Sequence, residues 1–219
     1  MDKLHLLQEF RKAQLQEKDS KILELCEDKI VLDVGCIGQD KDYNDQDWLH
    51  NKIRTVAKST LGVDIIQESI DKLNQMGLNI VHFDQLASLD IKFDVIVMAD
   101  VIEHVDNPVS FLRDYGKYLT DNGIIVVTTP NSNRAINFLS ILRWNGYRLN
   151  FEHTMWLCPL TFAEIVRRTD LNIKAFYWLK EYYDLNKLNF TNRVIFHAAN
   201  MLARWRSNFH HNFMVILCK

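Results

Sequence analysis

The chain has 219 residues, with 26 Lys and Arg against 28 Asp and Glu and a formal charge of −2. Hydrophobic residues make up 47%, enough for a sizeable core, and 7 Gly with 3 Pro exclude collagen-like, Gly/Ser-linker and Pro-rich architectures. Near-neutral charge argues against a protein that coats nucleic acid electrostatically. The length predicts one domain over 1–219. Cys26, Cys36, Cys158 and Cys218 show no C-x-x-C spacing and point to reduced thiols in a cytoplasmic protein. The N-terminus turns charged too soon for a signal-peptide core, and no apolar run approaches the roughly 20 residues of a membrane span.

In chain order, residues 3–26 are charged and helical in period, with Leu4, Leu7, Phe10, Ile22 and Leu25 as core contacts; 1–28 forms an N-terminal helical segment. Ile30 to Val34 reads as a buried strand stopped by Gly35. A polar stretch from Gln39 to Asp47 leads to a helix through Trp48, Ile53, Val56 and Ala57. Leu61 to Ile66 is a second strand, followed by a helix from Gln67 to Met76. Asn79 to Phe83 is a third, ending at Asp84, and Phe93 to Ala99 a fourth, running into Asp100. Asn107-Pro108 opens a helix in cap-then-proline order. Gly123 to Thr129 is a fifth strand, closed by Pro130-Asn131.

Strands alternating with helices at this spacing predict an α/β fold: a mainly parallel sheet with helices on both faces. Ligands on such sheets bind beyond the carboxyl ends of the strands. Gly35, Asp64, Asp84 and Asp100 therefore face one crevice. A carboxylate accepts two hydrogen bonds, so Asp64 suits a pair of ribose hydroxyls, and Asp84 could accept from an exocyclic amine. Gly35 and Gly38 would let the backbone approach a cofactor closely. Any one strand-end Asp could merely cap a turn; their recurrence at successive strand ends favours binding.

VLDVGCIGQD, LGVDII, Asp84, FDVIVMADVIEHV and GIIVVTTPN together resemble class I S-adenosylmethionine-dependent methyltransferases, over roughly residues 25–170. The resemblance implies a Rossmann-like αβα sandwich with a seven-stranded sheet whose final pair is antiparallel, supplied by 171–180 and 208–217. It also implies S-adenosylmethionine as cofactor, held by Asp33, Gly35, Cys36, Gly38, Asp64, Ile65, Asp84, Gln85 and Asp100. The family's Asp-x-Gly-x-Gly-x-Gly loop is altered here, with Ile37 and Gln39 at the later glycine positions. Trp48 and His50 could close over the cofactor, against core packing for Trp48 and a solvent-exposed His50. A nicotinamide dehydrogenase is disfavoured, because G-C-I-G lacks the G-x-G-x-x-G phosphate turn.

Methyl transfer needs an oriented, often deprotonated acceptor. If Met98 to His104 is helical at its end, Asp100, Glu103 and His104 share one face at i, i+3 and i+4. His104 has the intrinsic pKa of a general base near neutrality, with Glu103 to orient it. The D-V-I-E-H segment resembles the E-x-x-E-H of ubiquinone-pathway and small-RNA 2′-O-methyltransferases, which implies a divalent ion on Asp100, Glu103, His104 and His153. The donor set would suit Mg²⁺, Mn²⁺ or Zn²⁺. The alternative is a metal-free positioning pair, with His153 at the acceptor site.

Two late segments exceed a minimal fold. Residues 134–157, with Ile136, Phe138, Trp144 and Tyr147 beside Arg134, Arg143 and Arg148, would form an acceptor-side lid. Residues 181–206, from Tyr182 through Phe190, Met201 and Trp205 with Arg193, Arg204 and Arg206, would insert in the closing hairpin. Both could serve core or dimer packing, an anionic or lipid-linked acceptor at a membrane surface, or RNA. The sequence reading is therefore a methyltransferase acting on an oxygen of a small-molecule or glycan precursor, as monomer or homodimer, with nucleic acid disfavoured. D-V-I-E-H, T-P-N and E-H-x-x-W together resemble bacterial enzymes of cell-surface polysaccharide biosynthesis. The alternatives are a metal-assisted RNA 2′-O-methyltransferase and a non-catalytic cofactor-binding subunit.

Overall fold

A computed structural model of the chain describes residues 3–38, 47–144, 150–180 and 189–219. The expectations placed on Gln39, Tyr147, Arg148 and Tyr182, and on the side chains of Leu4 and Trp144, lie outside the described residues. The elements run α1 (Lys3–Lys12), β1 (Leu15–Gln16), α2 (Lys18–Cys26), β2 (Ile30–Val34), α3 (Leu49–Val56), β3 (Ser59–Asp64), α4 (Gln67–Gln75) and β4 (Ile80–His82). They continue through α5 (Phe83–Leu86), β5 (Phe93–Ala99), α6 (Pro108–Gly116), β6 (Leu119–Pro130), α7 (Ala135–Trp144), α8 (Pro159–Arg167), β7 (Asn172–Leu179), α9 (Phe190–Trp205) and β8 (Asn212–Cys218).

The strands form one sheet in the order β1-β7-β8-β6-β5-β2-β3-β4. Every pairing is parallel except those of β8, which runs antiparallel to both β6 and β7. Alternate residues of the central strands serve opposite faces. Leu32, Val34, Ile96, Met98, Ile125 and Val127 pack with Phe162, Trp178 and Phe213 on one side. Val31, Val95, Val97 and Val126 pack with Ile22, Cys26 and Ile53 on the other. Both faces are covered, which is why these strands read as continuous apolar runs.

Among the described residues the sheet has eight strands, not the expected seven. Residues 3–26 are not one helical stretch, because Leu15 and Gln16 pair in parallel with Trp178 and Leu179 on the outer edge of β7. Trp178 N donates to Gln14 O (3.0 Å) and Lys180 N to Gln16 O (2.8 Å). Satisfying an otherwise open sheet edge outweighs local helix preference over these residues. The helix then restarts at α2, whose N-cap Glu17 accepts from Asp19 N (3.3 Å) and Ser20 N (2.6 Å). Trp178 Nε1 ties α1 down by donating to Phe10 O (2.8 Å).

The third strand also ends earlier than its composition suggests. Phe83 and Asp84 lie in the short helix α5 rather than at a strand end. A capping box stops the strand: His82 Nδ1 accepts from Asp84 N (3.3 Å), while Gln85 Oε1 accepts from His82 N (3.2 Å). Asn107 caps α6 by accepting from Ser110 N (3.1 Å), with Pro108 in the first turn, as the sequence indicates.

Candidate functional site

The carboxyl ends of β2, β3 and β5 open into a cavity of about 670 Å³, a volume suited to a nucleoside-sized ligand. The backbone there turns at Gly35, whose φ of +66° lies in the left-handed region. A Cβ at that point would stand 2.8 Å from Val101 Cγ2, so both conformation and space require glycine. Gly35 N donates to Val63 O (2.8 Å), which holds the turn against β3.

Hydrogen bonds involving Asp64, Trp48 and His50 then fix the loop. Asp64 Oδ2 accepts from Ile37 N (2.9 Å), and Asp64 Oδ1 accepts from Ile65 N (2.7 Å) and Ile66 N (3.3 Å). Trp48 Nε1 donates to Cys36 O (2.8 Å), and His50 Nδ1 lies 2.8 Å from Asp33 Oδ2. His50 is 1% exposed, so it is a buried partner of Asp33 and not a solvent-facing side chain. Burial, and then the Asp33 and Asp64 carboxylates, push the Cys36 thiol far above its ordinary range, leaving it protonated and inert. Gly62 opposite is a packing requirement: its added Cβ would meet Cys36 Sγ at 2.7 Å and Ile80 Cγ1 at 2.9 Å. These bonds substitute for the missing glycines in shaping the turn.

Asp100 ends β5 in the left-handed region, with φ +57°. Its amide donates to Thr128 O (3.1 Å), and Thr128 Oγ1 donates to Asp100 Oδ1 (2.9 Å). Asp100 Oδ2 pairs with the Lys18 ammonium, which α2 brings in from the N-terminal segment. Burial works against the Lys18 charge, but the Asp100 carboxylate more than offsets it and holds the pKa above the ordinary lysine value. Lys18 lines the cavity, and no motif in the sequence marks it. Its signal is visible only through the fold.

The expectation that Asp100, Glu103 and His104 share a helical face fails. Asp100 lies before the turn, and Ile102–His104 is a single 3₁₀ turn. Successive side chains in a 3₁₀ turn sit about 120° apart, so Glu103 and His104 leave the backbone in different directions, although a donor atom of each lies within 4.8 Å of the other. His104 lines the large cavity, whereas Glu103 lines a small polar pocket with Asn131, Asn137, His153 and Trp156. Glu103 O accepts from Thr154 N (3.0 Å) and Thr154 Oγ1 (3.1 Å), which ties the segment after residue 150 to this turn. His153 thereby meets His104 edge to face, with ring centroids 4.7 Å apart.

Glu103 is 2% exposed. Its Oε2 accepts from Thr129 Oγ1 (3.0 Å), and Oε1 is buried with no hydrogen-bond partner among the described residues. Burial, reinforced by the Asp100 charge, pushes its pKa up to about 7. Burial, then His104 and Arg134, hold the His153 pKa below the ordinary imidazole value, which favours the neutral ring. Donor atoms of Glu103, His104 and His153 all lie within 4.8 Å of one another. The Asp100 carboxylate is engaged by Lys18 and Thr128 and stands outside that cluster.

Of the nine residues the resemblance assigns to the cofactor, Asp33, Gly35, Cys36, Gly38, Asp64, Ile65 and Asp100 line the cavity. Asp84 and Gln85 do not: the capping box at His82 employs Gln85, and the Asp84 side chain is 78% exposed. Phe83 lines the wall instead, with Phe111 and Tyr115. Sequence reading passed over these aromatics, together with Thr128 and Thr129.

The chain matches the family model described as a methyltransferase domain over residues 7–175. A ubiquinone biosynthesis O-methyltransferase from Rickettsia akari is 26% identical over 158 residues, covering 66% of this chain and 59% of the relative. The chain thus spans about three fifths of that relative's length. Among solved structures, a SAM-dependent methyltransferase from Archaeoglobus fulgidus superposes with a TM-score of 0.57 at 17% identity, covering all of both chains. Magnesium protoporphyrin IX methyltransferase from Synechocystis PCC 6803, with bound SAH, gives 0.56 at 10% identity, covering 91% of this chain and 81% of that one. The strand order and the strand-end cavity agree with that fold. The chain belongs to the methyltransferase-domain family.

Proposed function

We propose that the chain transfers the methyl group of S-adenosylmethionine to an oxygen of a small-molecule acceptor, which meets the donor at His104. The observation that carries this reading is the position of His104: it lines the cavity shared by Gly35 and Asp64 while its ring touches His153. A donor bound along the strand ends and an acceptor entering beside His153 would meet at that point. The cofactor residues are Asp33, Gly35, Cys36, Gly38, Asp64, Ile65 and Asp100, with the Asp64 carboxylate toward the ribose. Residues 134–157 act as an acceptor-side lid, anchored by Thr154 on Glu103, and 181–206 is an insertion in the closing hairpin. The O-methyltransferase name of the relatives supports an oxygen acceptor.

In the reaction the acceptor oxygen attacks the sulfonium methyl in line, the S–CH₃ bond breaks toward sulfur, and the acceptor proton passes to a base. His104 takes that proton. His153, held neutral, packs edge to face against that ring and adds no second positive charge beside it. Glu103, poised near neutrality beside the pair, offsets their charge when ionised. The protein's contribution is mainly placement, which for a bimolecular displacement is the larger effect.

The test combines calorimetry with turnover. Methyl-labelled S-adenosylmethionine is presented to a panel of hydroxylated small molecules, and active acceptors are carried forward. His104→Ala should leave cofactor affinity within about twofold while lowering turnover by about 100-fold or more. Equal loss of both would place His104 on the cofactor and refute its role as base.

One observation favours a second reading. The buried, unpartnered Glu103 Oε1 beside two imidazole nitrogens fits a divalent cation of Mn²⁺ or Zn²⁺ type. Such an ion on Glu103, His104 and His153 would act as a Lewis acid on the acceptor oxygen. Activity unchanged by EDTA and by added Mn²⁺ would retire this reading, and with it the metal-assisted RNA alternative.

A further inference from the structure

We infer that α7 and α9 form a docking surface for an anionic phospholipid bilayer. The two helices pack against each other through Ile136 and Ala199, with Leu139, Ile195, Leu202 and Phe209 around them. That contact uses only their inner faces. On the outer face of α9, Phe190, Val194, Met201 and Trp205 recur at helical spacing and remain exposed, Phe190 at 81% and Met201 at 71%. On α7, Leu142 is 84% exposed and Phe138 48%. A protein surface seldom leaves this many large apolar side chains in water along one helix pair without a partner.

Charge identifies the partner. Residues 122–151 and 185–219 contain eight of the 26 basic residues and none of the 28 acidic ones, so the rest of the chain carries ten more acids than bases. Among the described residues, α7 and α9 with the Arg206 cap carry Arg143, Arg193, Arg204 and Arg206 and no acid, so the overall charge of −2 conceals a cationic helix pair. Arg143, Arg204 and Arg206 are exposed beside the apolar side chains, and the Arg206 guanidinium lies 4.2 Å from the centre of the Trp205 ring. Exposed aliphatic and aromatic side chains flanked by Arg, with no acid on either helix, complement acyl chains beneath phosphate headgroups. No helix among the described residues is long and apolar enough to cross a membrane.

A second copy of the chain is a poorer occupant. An isologous dimer would set Arg204 and Arg206 against a surface of the same sign, and a heterologous one would propagate into rings or filaments. RNA would use the aromatics but gains little from Leu142, Val194 and Met201, which have no base-stacking face. The first turn of α7 places Arg134 and Asn137 on the pocket that holds Glu103 and His153. If the acceptor site is as proposed above, docking would bring it close to the headgroups, where an amphiphilic acceptor resides.

The test needs no acceptor or cofactor. The full chain is centrifuged with vesicles of phosphatidylcholine alone, or of phosphatidylcholine with an equal part of phosphatidylglycerol, at low and high salt. Binding to the mixed vesicles, weak binding to the neutral ones and release by salt are expected. Each arginine near an anionic surface contributes about fivefold to partitioning, so Arg204→Gln with Arg206→Gln should weaken binding about 25-fold. Met201→Glu should abolish it while leaving circular dichroism and S-adenosylmethionine affinity unchanged, and Phe190→Glu provides a second apolar probe. The proposal is overturned by a folded protein that ignores both vesicles, by equal binding to both, or by Met201→Glu and Phe190→Glu that bind as well as wild type. It is equally overturned if the chain binds no vesicles but forms a dimer that Met201→Glu dissociates, or binds single-stranded RNA through the same residues.

Discussion

Replacing Glu103 by Gln isolates the electrostatic cost of the acceptor-side cluster. The carboxyl is 2% exposed, and burial with the neighbouring Asp100 charge raises its pKa from about 4.5 to about 7. A group whose folded pKa lies above its unfolded value contributes stability that is complete below the unfolded pKa and is lost as pH rises through the folded one. For Glu103 the loss therefore runs from about pH 4.5 to about pH 7. Between pH 5 and pH 8 it amounts to about 2.5 kcal/mol, from 1.36 kcal/mol per tenfold change in proton affinity. Glutamine keeps an oxygen to accept from Thr129 Oγ1 and cannot ionise. The stability of Glu103→Gln relative to wild type should therefore improve by about 2–3 kcal/mol on going from pH 5 to pH 8. Urea unfolding of both proteins at four pH values, in EDTA and without cofactor, reads this difference directly, and groups that titrate alike in both cancel. Parallel curves would show that Glu103 ionises without penalty and would refute its assignment as a carboxyl held protonated by burial. The same variant should lower turnover, since it cannot offset an imidazolium.

Three further outcomes follow from the cofactor side. Asp64→Asn keeps the size of the side chain but removes the charge and one acceptor, so S-adenosylmethionine affinity should fall about 10-fold or more in calorimetry; unchanged affinity would place the ribose elsewhere. Gly62→Ala forces a Cβ to 2.7 Å from Cys36 Sγ and should destabilise the fold by about 1–3 kcal/mol in thermal unfolding. Cys36→Ala in the Gly62→Ala background should recover part of that loss, and strict additivity of the two changes would refute the contact as its cause. Lys18→Met leaves the Asp100 carboxylate without its cation and, at a pair open in part to solvent, should cost about 1 kcal/mol in urea unfolding, with Asp100→Asn in the same background restoring part of it.

The strand-end logic of the sequence located the cavity because the relevant signals are local. A strand, a glycine with positive φ and an acid at a strand end are each set within a few residues, and parallel strands align those ends whatever the helices between them do. Asp84 shows where that logic stops. It follows an apolar run as Asp64 does, yet a capping box between His82 and Gln85 ends the strand early and turns its side chain to solvent. The competition between this cap and strand extension is decided by how far β3 offers partners, and β4 pairs with β3 only from Ile80 as far as His82. The altered glycine loop is a second case. Trp48 and His50, each at least 12 residues away, hold it through Cys36 and Asp33, so the loop keeps its place without the usual glycines.

What the sequence determined by itself is the alternation of strands and helices and the mainly parallel sheet, which periodicity carries, and, through the resemblance of its short motifs, the antiparallel final pair and the family. Tertiary structure alone decided which charges meet. Lys18 reaches Asp100 across 82 positions, and Thr154 draws His153 onto the turn that holds Glu103 and His104. It also decided that the uniform-looking charge of −2 divides into an acid-lined cavity at the strand ends and an acid-free apolar helix pair. The physical reason is the same in each instance: a hydrogen bond or ion pair depends on positions a few ångströms apart in space, and only the folded chain brings residues distant in sequence to that separation.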